Sequence, residues 1–447
     1  MEISKLYEIF LRCGSVTTDT RTLKGGELFF ALKGENFDGN LFAGKAVEAG
    51  AAYAVVNAGS EFDGAGDRFI AVPDTLEALQ DLARYHRTHV LCDGKPVPVI
   101  GLTGTNGKTT TKELIRTVLS PKYRVTATEG NLNNDIGVPL SLLKINSDTQ
   151  IAVIEMGANH PDDIARLASV SRPDYGLITN VGKAHLLGFG SFEGVKKAKG
   201  QLYDFVATQG GTVFLNADDP DLSEMVSKRD GLSVVPYGAK FWNCILLPSD
   251  DAHPYLRLAL PQDPGDPECE TLLGLETKLI GSYNVPNVLA AIAVGLYFDV
   301  ELEDAIAAIA SYVPANSRSQ LVKTQRNTLI VDAYNANPTS MAAAISNFKS
   351  VEASDKVALL GDMRELGEDS LKEHMAIVHA LDGIGHVFLV GEEFRKALEQ
   401  TGTPDNVKWY PTSSDLAEML AQNPVSGCTI LVKGSRGVKM ENVIPAL

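Results

Sequence analysis

A short apolar run that enters a glycine-rich turn constrains this chain more than any other feature. The stretch reads Val99-Ile100-Gly101-Leu102-Thr103-Gly104-Thr105-Asn106-Gly107-Lys108-Thr109-Thr110. A helical pattern follows, with Leu114, Ile115, Val118 and Leu119 on one side. Strand, glycine loop and helix start together make a phosphate cradle. Glycines let backbone N–H groups approach an anion, and the helix N-terminus adds partial positive charge. Gly104, Thr105, Asn106, Gly107, Lys108, Thr109 and Thr110 are the residues expected around a nucleotide. Lys108 is expected to reach the terminal phosphates and the Thr109 hydroxyl to sit on Mg²⁺. The general pattern has a glycine five residues before Gly107, and Leu102 stands there, so the loop is a variant.

A chain of 447 residues fits about three domains. The net charge of −16 argues against nucleic acid as a partner, although it leaves local anion sites open. The five cysteines are scattered and show no metal-ligand spacing, which fits a reducing compartment. The first residues do not read as a targeting segment, and no apolar run reaches the roughly 18 residues needed to span a bilayer. The expectation is a cytoplasmic protein with no membrane insertion.

Three regions follow from the pattern of elements, and all are α/β. Residues 1–94 read as a small N-terminal α/β domain, with a strand at Glu27–Leu32, a helix at Leu41–Gly50 and a long helix from Thr75 to about Val90. Residues 95–316 read as a central P-loop-type domain. Its strands at Arg124–Thr126, Ile151–Ile154, Tyr175–Ile178 and Thr212–Leu215 are near-continuous apolar runs separated by helices. Such runs argue for a mostly parallel sheet covered on both faces. Residues 233–277 break the pattern and read as an antiparallel excursion. Residues 317–447 read as a doubly wound, Rossmann-like C-terminal domain with strands at Leu329–Val331, Val357–Leu360, Val387–Val390 and Thr429–Val432.

Ligands of parallel sheets bind at the carboxyl ends of the strands, so the polar residues there carry the chemistry. Glu155 follows one strand and suits Mg²⁺, which prefers oxygen ligands. Asn131, Asn133 and Asn134 crowd one loop, more donors and acceptors than a turn needs. On spacing alone, His185 is a lone histidine, and Lys196, Lys197 and Lys199 read as a solvated helix face. Thr18–Arg21 and Gly34–Gly39 read equally well as ordinary turns.

Taken in order, the motifs resemble those of the Mur ligase family and the related folylpolyglutamate synthases, three-domain enzymes that form amide bonds with ATP. The resemblance covers nearly the whole chain. It rests on Gly104–Thr110, Thr128-Glu129-Gly130-Asn131-Leu132-Asn133-Asn134, Glu155-Met156-Gly157-Ala158 and Ala184-His185-Leu186. It continues through Lys197-Ala198-Lys199-Gly200, Asp332-Ala333-Tyr334-Asn335-Ala336-Asn337-Pro338, Gly361-Asp362-Met363 with Glu365-Leu366-Gly367, and Val432-Lys433-Gly434-Ser435-Arg436. Departures are Lys183 where relatives often have Glu, Gln201 where they often have Glu, and Ser282-Tyr283-Asn284 and Ser317-Arg318 at two further family positions.

The resemblance implies a substrate and a set of roles. It points to the branch that joins D-alanyl-D-alanine to a UDP-N-acetylmuramoyl-tripeptide through an acyl phosphate, by a monomer using ATP and two Mg²⁺. Thr109, Thr128, Glu155, His185 and Lys199 are the implied metal-site residues, with Lys199 carboxylated on its amine. Asn284, Asn287, Arg318 and Asp332 are implied to hold ATP. Asp19, Thr20, Arg21, Asn36, Asp38 and Gly39 are implied to hold the uridine nucleotide. Asn131, Asn133, Asn134, Asn335 and Asn337 are implied to meet the peptides. The alternatives are a sibling ligase adding another amino acid, a P-loop kinase or GTPase, and an inactive scaffold. A GTPase would carry Asn-Lys-x-Asp after a strand, which this chain lacks. A scaffold would not retain Lys108, Thr109, Glu155, His185 and Lys199 together.

Overall fold

The computed structural model describes residues 1–34, 36–248, 254–266, 268–314, 318–353 and 355–447. The expected boundary at 316/317, and Ser317 with it, lies outside the described residues. Three sheet-centred domains follow one another along the chain. Among the described residues no helix is long and apolar enough to cross a membrane.

The central domain is built on six parallel strands. Across the sheet their order is Val125–Ala127, Ile151–Glu155, Val99–Thr103, Tyr175–Ile178, Thr212–Asn216 and Ser233–Tyr237. Val99–Thr103 and Ile151–Glu155 are buried at every position, which is why they read as unbroken apolar runs. The register sets Glu155 beside Leu102 and Ile178 beside Thr103. The carboxyl ends of three neighbouring strands therefore open onto one spot. Helix Lys108–Leu119 buries Leu114, Ile115, Val118 and Leu119 against helix Val285–Tyr297, whose apolar residues face inward nearly all round.

The first domain has four parallel strands in the order Val16–Thr17, Leu28–Phe30, Tyr53–Asn57 and Phe69–Val72. Its long helix, Thr75–His89, begins at Asp74, whose carboxylate accepts the N–H groups of Leu76 and Glu77. The third domain has six strands in the order Gln320–Lys323, Thr328–Asp332, Thr429–Lys433, Lys356–Gly361, His386–Val390 and Val407–Tyr410.

Two elements depart from the sequence expectation. Within 233–277, Ser233–Tyr237 joins the parallel sheet as its edge strand. Only Ile245–Leu247, Arg257–Pro261 and Leu272–Glu276 form an antiparallel sheet. The edge strand hides because a sheet edge tolerates the exposed Ser233 and Val234 and the proline at 236. The antiparallel strand Gln320–Lys323 lacks an apolar run for the same reason, being half exposed on the edge of the third sheet.

Candidate active site

The phosphate loop folds as a turn that only glycine permits at two points. Gly104 has φ +146° and Gly107 φ +78°. A Cβ on Gly104 would stand 2.0 Å from Thr179 Oγ1, and one on Gly107 would stand 2.5 Å from Asn287 Oδ1. The loop is held by the next strand's end. Asn180 Oδ1 accepts the Asn106 N–H at 3.0 Å, Asn180 Nδ2 donates to the Asn106 carbonyl, and Thr105 Oγ1 accepts the Gly182 N–H. Lys108 Nζ turns back on the loop, donating to the carbonyls of Gly104 (2.8 Å) and Thr105 (3.1 Å). Burial pulls its amine below the ordinary lysine value; Glu155 opposes this and Arg318 adds to it.

Glu155 is buried at the tip of its strand. Its Oε1 accepts from Thr109 Oγ1 (3.1 Å) and Asn133 Nδ2 (2.8 Å), while its Oε2 is buried with no partner. An orphaned carboxylate oxygen beside a phosphate loop fits a hard cation. Thr128 lies behind it, its hydroxyl accepting the Glu155 N–H at 3.0 Å, and does not line the cavity. No group of three or more His, Cys, Asp or Glu side chains gathers among the described residues. A cation here would complete its shell with water and phosphate oxygens, as Mg²⁺ does.

Lys199 is not a surface lysine. Only 2% of it is exposed, its amine has no hydrogen-bond partner among the described residues, and it lies 5.6 Å from the centre of the Phe189 ring. Burial and the charge of Lys108 pull that amine well below its ordinary value, against a weaker pull from Asp163. Lys196, by contrast, takes the ion pairs of the helix face, reaching Asp221 and Glu224. His185 stands between the two domains with Nδ1 on the Glu365 carboxylate. Burial, partly offset by Glu365 and reinforced by Lys108 and Lys199, lowers its pKa.

Lys108, Glu155 and His185 open onto a cavity of about 830 Å³ between the central and third domains, which Lys199 and Gly104 do not line. It is lined by Thr105, Asn106, Gly107, Lys108, Thr109, Thr110, Glu155 and His185, and by Asn131, Asn133 and Asn134. Asn284, Asn287, Arg318, Asp332, Asn335 and Asn337 line it as well. The asparagines are chained: Thr111 Oγ1 donates to Asn287 Oδ1, Asn287 Nδ2 to Asn284 Oδ1, and Asn284 Nδ2 to Ser319 Oγ. Arg318 stacks on Tyr334, its Cζ 3.8 Å from the ring centre, and Lys433 pairs with Asp332 at 2.5 Å. Asn337 Nδ2 donates to Asn106 Oδ1 at 2.7 Å, so the third domain touches the phosphate loop directly.

The first-domain residues lie apart from this cavity. Asp19 accepts the Arg21 N–H and both ends of the Arg21 fork, and that pair stays at the surface. This accounts for the Asp19 carboxyl being held down at about 2. Thr20 begins the same short turn. Asp38 caps the next one through the Asn40 N–H, Asn36 is exposed, and a Cβ on Gly39 would meet the Leu32 carbonyl at 2.4 Å. Asn180 is among the polar strand-end residues that the sequence singles out, though without a role of its own. Sequence reasoning missed Asn159, His160, Asp163 and Arg166, which line the cavity toward the first domain and follow no motif.

Comparison with known proteins gives three family matches along the chain. Residues 13–87 match the profile described as Mur ligase family, catalytic domain, and residues 102–295 match Mur ligase middle domain. Residues 317–436 match Mur ligase, glutamate ligase domain. The UDP-N-acetylmuramoyl-tripeptide–D-alanyl-D-alanine ligase of Bacillus subtilis is 36% identical over 450 residues, covering 97% of this chain and 92% of that protein. MurF from Acinetobacter baumannii superposes with a TM-score of 0.83 at 31% identity, over 96% of this chain and 92% of that one. The MurF ligase of Thermotoga maritima in complex with ADP gives 0.84 at 25% identity, over 98% and 97%.

Proposed function

The chain belongs to the Mur ligase family, and on that premise we propose that it joins D-alanyl-D-alanine to a UDP-N-acetylmuramoyl-tripeptide, converting ATP to ADP and phosphate. The observation that carries the reading is end-to-end similarity to a ligase of that name, in a chain whose phosphate loop, Glu155 and third domain meet at one cavity.

The tripeptide carboxylate attacks the γ-phosphorus of ATP, the bond to the β–γ bridging oxygen breaks, and ADP leaves. The amine of D-alanyl-D-alanine adds to the carbon of the resulting acyl phosphate. Phosphate departs with the C–O bonding pair, and the amine loses its proton. The protein's part is positioning and electrostatics. Loop N–H groups of Gly104–Thr110 and the Lys108 amine take the phosphate charge. Asn284, Asn287, Arg318 and Asp332 hold the nucleotide from the other wall. Asn131, Asn133, Asn134, Asn335 and Asn337 orient the peptides. Asp19, Thr20, Arg21, Asn36, Asp38 and Gly39 hold the uridine nucleotide on the first domain. The third domain excludes water that would hydrolyse the acyl phosphate.

Thr109, Glu155, His185 and Lys199 would hold Mg²⁺, with Thr128 fixing the Glu155 backbone; bound there, the metal neutralises phosphate charge as a Lewis acid. The orphaned Glu155 Oε2 supports this. Carboxylation of Lys199 needs a neutral amine: nitrogen bonds to the carbon of CO₂ and one proton leaves. Its burial and the neighbouring Lys108 charge favour that neutral form. The test is ADP release with UDP-N-acetylmuramoyl-tripeptide and a panel of amines. Release that needs both the tripeptide and D-alanyl-D-alanine is expected; equal release with a single amino acid would move the assignment to a sibling ligase.

A further inference from the structure

His185 and Glu365 meet across the domain seam, and both have left-handed backbones, φ +51° and +64°. That conformation is uncommon for residues other than glycine, and it persists only where the surroundings impose it. Here they do. The loop that carries Glu365 is fastened on both sides. Asp362 accepts the N–H groups of Glu393 (3.0 Å) and Phe394 (2.9 Å) at the start of helix Glu392–Thr401. The Met363 N–H donates to Nε2 of the buried His374, whose Nδ1 in turn donates to the Ser370 carbonyl. Met363 and Leu366 are buried on either side of Glu365. On the opposite face, Lys183 Nζ reaches Glu373 Oε1 at 2.8 Å, and Gly367 lies against Leu187. Residues 183–187 of the central domain are thus gripped by the third domain through several contacts, of which, among the described residues, only the Glu365 contact with His185 reaches a residue of the cavity.

The chemistry of that contact is directional. A carboxylate can only accept, so the hydrogen between the two groups is carried by Nδ1 of His185. Nε2, which has no partner among the described residues, is left with its lone pair, on a ring that lines the cavity. A carboxylate behind one ring nitrogen fixes both tautomer and orientation of an imidazole. We propose that Glu365 is a positioning residue for ligation: the third domain delivers a carboxylate that locks the His185 ring and presents Nε2 to the phosphate site. The third domain then completes the site as well as covering it.

The kinetic part of this inference rests on the ligase reading above; the structural part does not. The experiment compares wild type, Glu365→Ala, Glu365→Gln and, as a control that breaks an interdomain ion pair without touching His185, Lys183→Ala. Turnover is measured with ATP, UDP-N-acetylmuramoyl-tripeptide and D-alanyl-D-alanine. Imidazole ¹⁵N spectra are recorded on histidine-labelled protein, with His185→Gln assigning the resonances. Glu365→Ala should lower kcat by about 10–100-fold, as loss of such a partner does, with all three KM values held within about twofold. Its His185 ring should lose the single Nδ1–H pattern. Glu365→Gln, whose amide oxygen still accepts, should recover most of kcat, and Lys183→Ala should change kcat by less than about twofold, because Lys183 does not line the cavity. Unchanged His185 resonances in Glu365→Ala overturn the proposal, and so does a changed ring with unchanged kcat. If wild type does not turn over these substrates, the ligase reading fails and the spectra alone decide whether Glu365 holds His185.

Discussion

The central domain meets its two neighbours through interfaces of opposite character. Against the first domain the contact is a core. Leu6, Phe10, Leu28, Phe30, Leu79 and Leu82 share one buried cluster with Val138, Leu142, Ile164 and Leu167. The polar groups there are spent on backbone. His86 Nε2 donates to the Ile145 carbonyl at 2.7 Å, and Arg87 donates to the carbonyls of Ser171 and Arg172 and to Asp174 Oδ2 at 2.7 Å. Against the third domain the contact is a seam around the cavity. Ile280, with Tyr255 beside it, is the central-domain residue that enters the third-domain core. Polar pairs stand around it, among them Asn106 with Asn337, Lys183 with Glu373, His185 with Glu365, and Asn284 with Ser319. Large apolar side chains each contribute about 1.5–3 kcal/mol on burial, whereas a hydrogen bond contributes about 0.5–1.5 kcal/mol net. The first domain is therefore packed into one core with the central domain, while separating the third would expose less apolar surface. This suits a site that must admit ATP and then exclude water.

That contrast yields a ranked set of expectations: residues around the cavity govern turnover, and packed-interface residues govern stability. Lys108→Ala should show the largest effect, a fall in kcat of roughly 10²–10³-fold at saturating ATP, with unchanged thermal stability. Near-normal turnover by the folded variant would falsify the site. Lys199→Ala should lose about 10²-fold while still binding nucleotide by calorimetry, and a small carboxylate such as formate should restore part of the activity. A variant as active as wild type would return Lys199 to the rank of core filler.

Arg87→Ala should do the reverse. It removes a buried guanidinium from the Ser171 and Arg172 carbonyls and leaves the half-exposed Asp174 Oδ2 with the Val99 N–H, for a loss of about 2–3 kcal/mol in denaturant unfolding. Its kcat per folded molecule should stand; a fall in kcat with intact stability would break the comparison. Asn337→Ser keeps a good cap on helix Pro338–Ser350 but cannot reach Asn106. The expected outcome is a rise of about 2–10-fold in KM for ATP, the worth of one hydrogen bond, with stability changed by less than about 0.5 kcal/mol.

The smallest effect is one of pH. Burial lowers the pKa of His86, so the folded state takes up a proton at lower pH than the unfolded one. Its contribution to stability is present above the unfolded value near 6.5 and is lost as pH falls from there through the folded value. Wild type should therefore lose more melting temperature between pH 7.5 and 5.5 than His86→Gln does. Equal losses would show that burial at this interface does not hold the His86 imidazole in its neutral form.

Much of this was legible before the structure, and for definite reasons. The phosphate loop announced itself because a backbone that wraps an anion needs glycines at set points, and Gly104 and Gly107 are those points. Strands Val99–Thr103 and Ile151–Glu155 were plain because a sheet covered on both faces demands apolar residues at every position. Edge strands Ser233–Tyr237 and Gln320–Lys323 were not, because a sheet edge imposes no such demand. Lys199 was misleading on spacing alone: it shares a helix with Lys196 and Lys197, and only the side of the helix on which it falls separates an ion-paired surface lysine from a buried one.

The sequence by itself therefore determined whatever depends on local backbone chemistry and on periodic burial: the phosphate loop, the parallel sheets, the helix starts and, through the ordered motifs, the family. Tertiary structure alone decided which distant residues meet. Glu365 lies in a family motif, but nothing in that motif names His185 as its partner, and Asn337 lies 231 positions from Asn106. Neither pairing leaves a trace in local composition, because a contact across domains is set by how the sheets pack and not by the residues on either side of it in the chain.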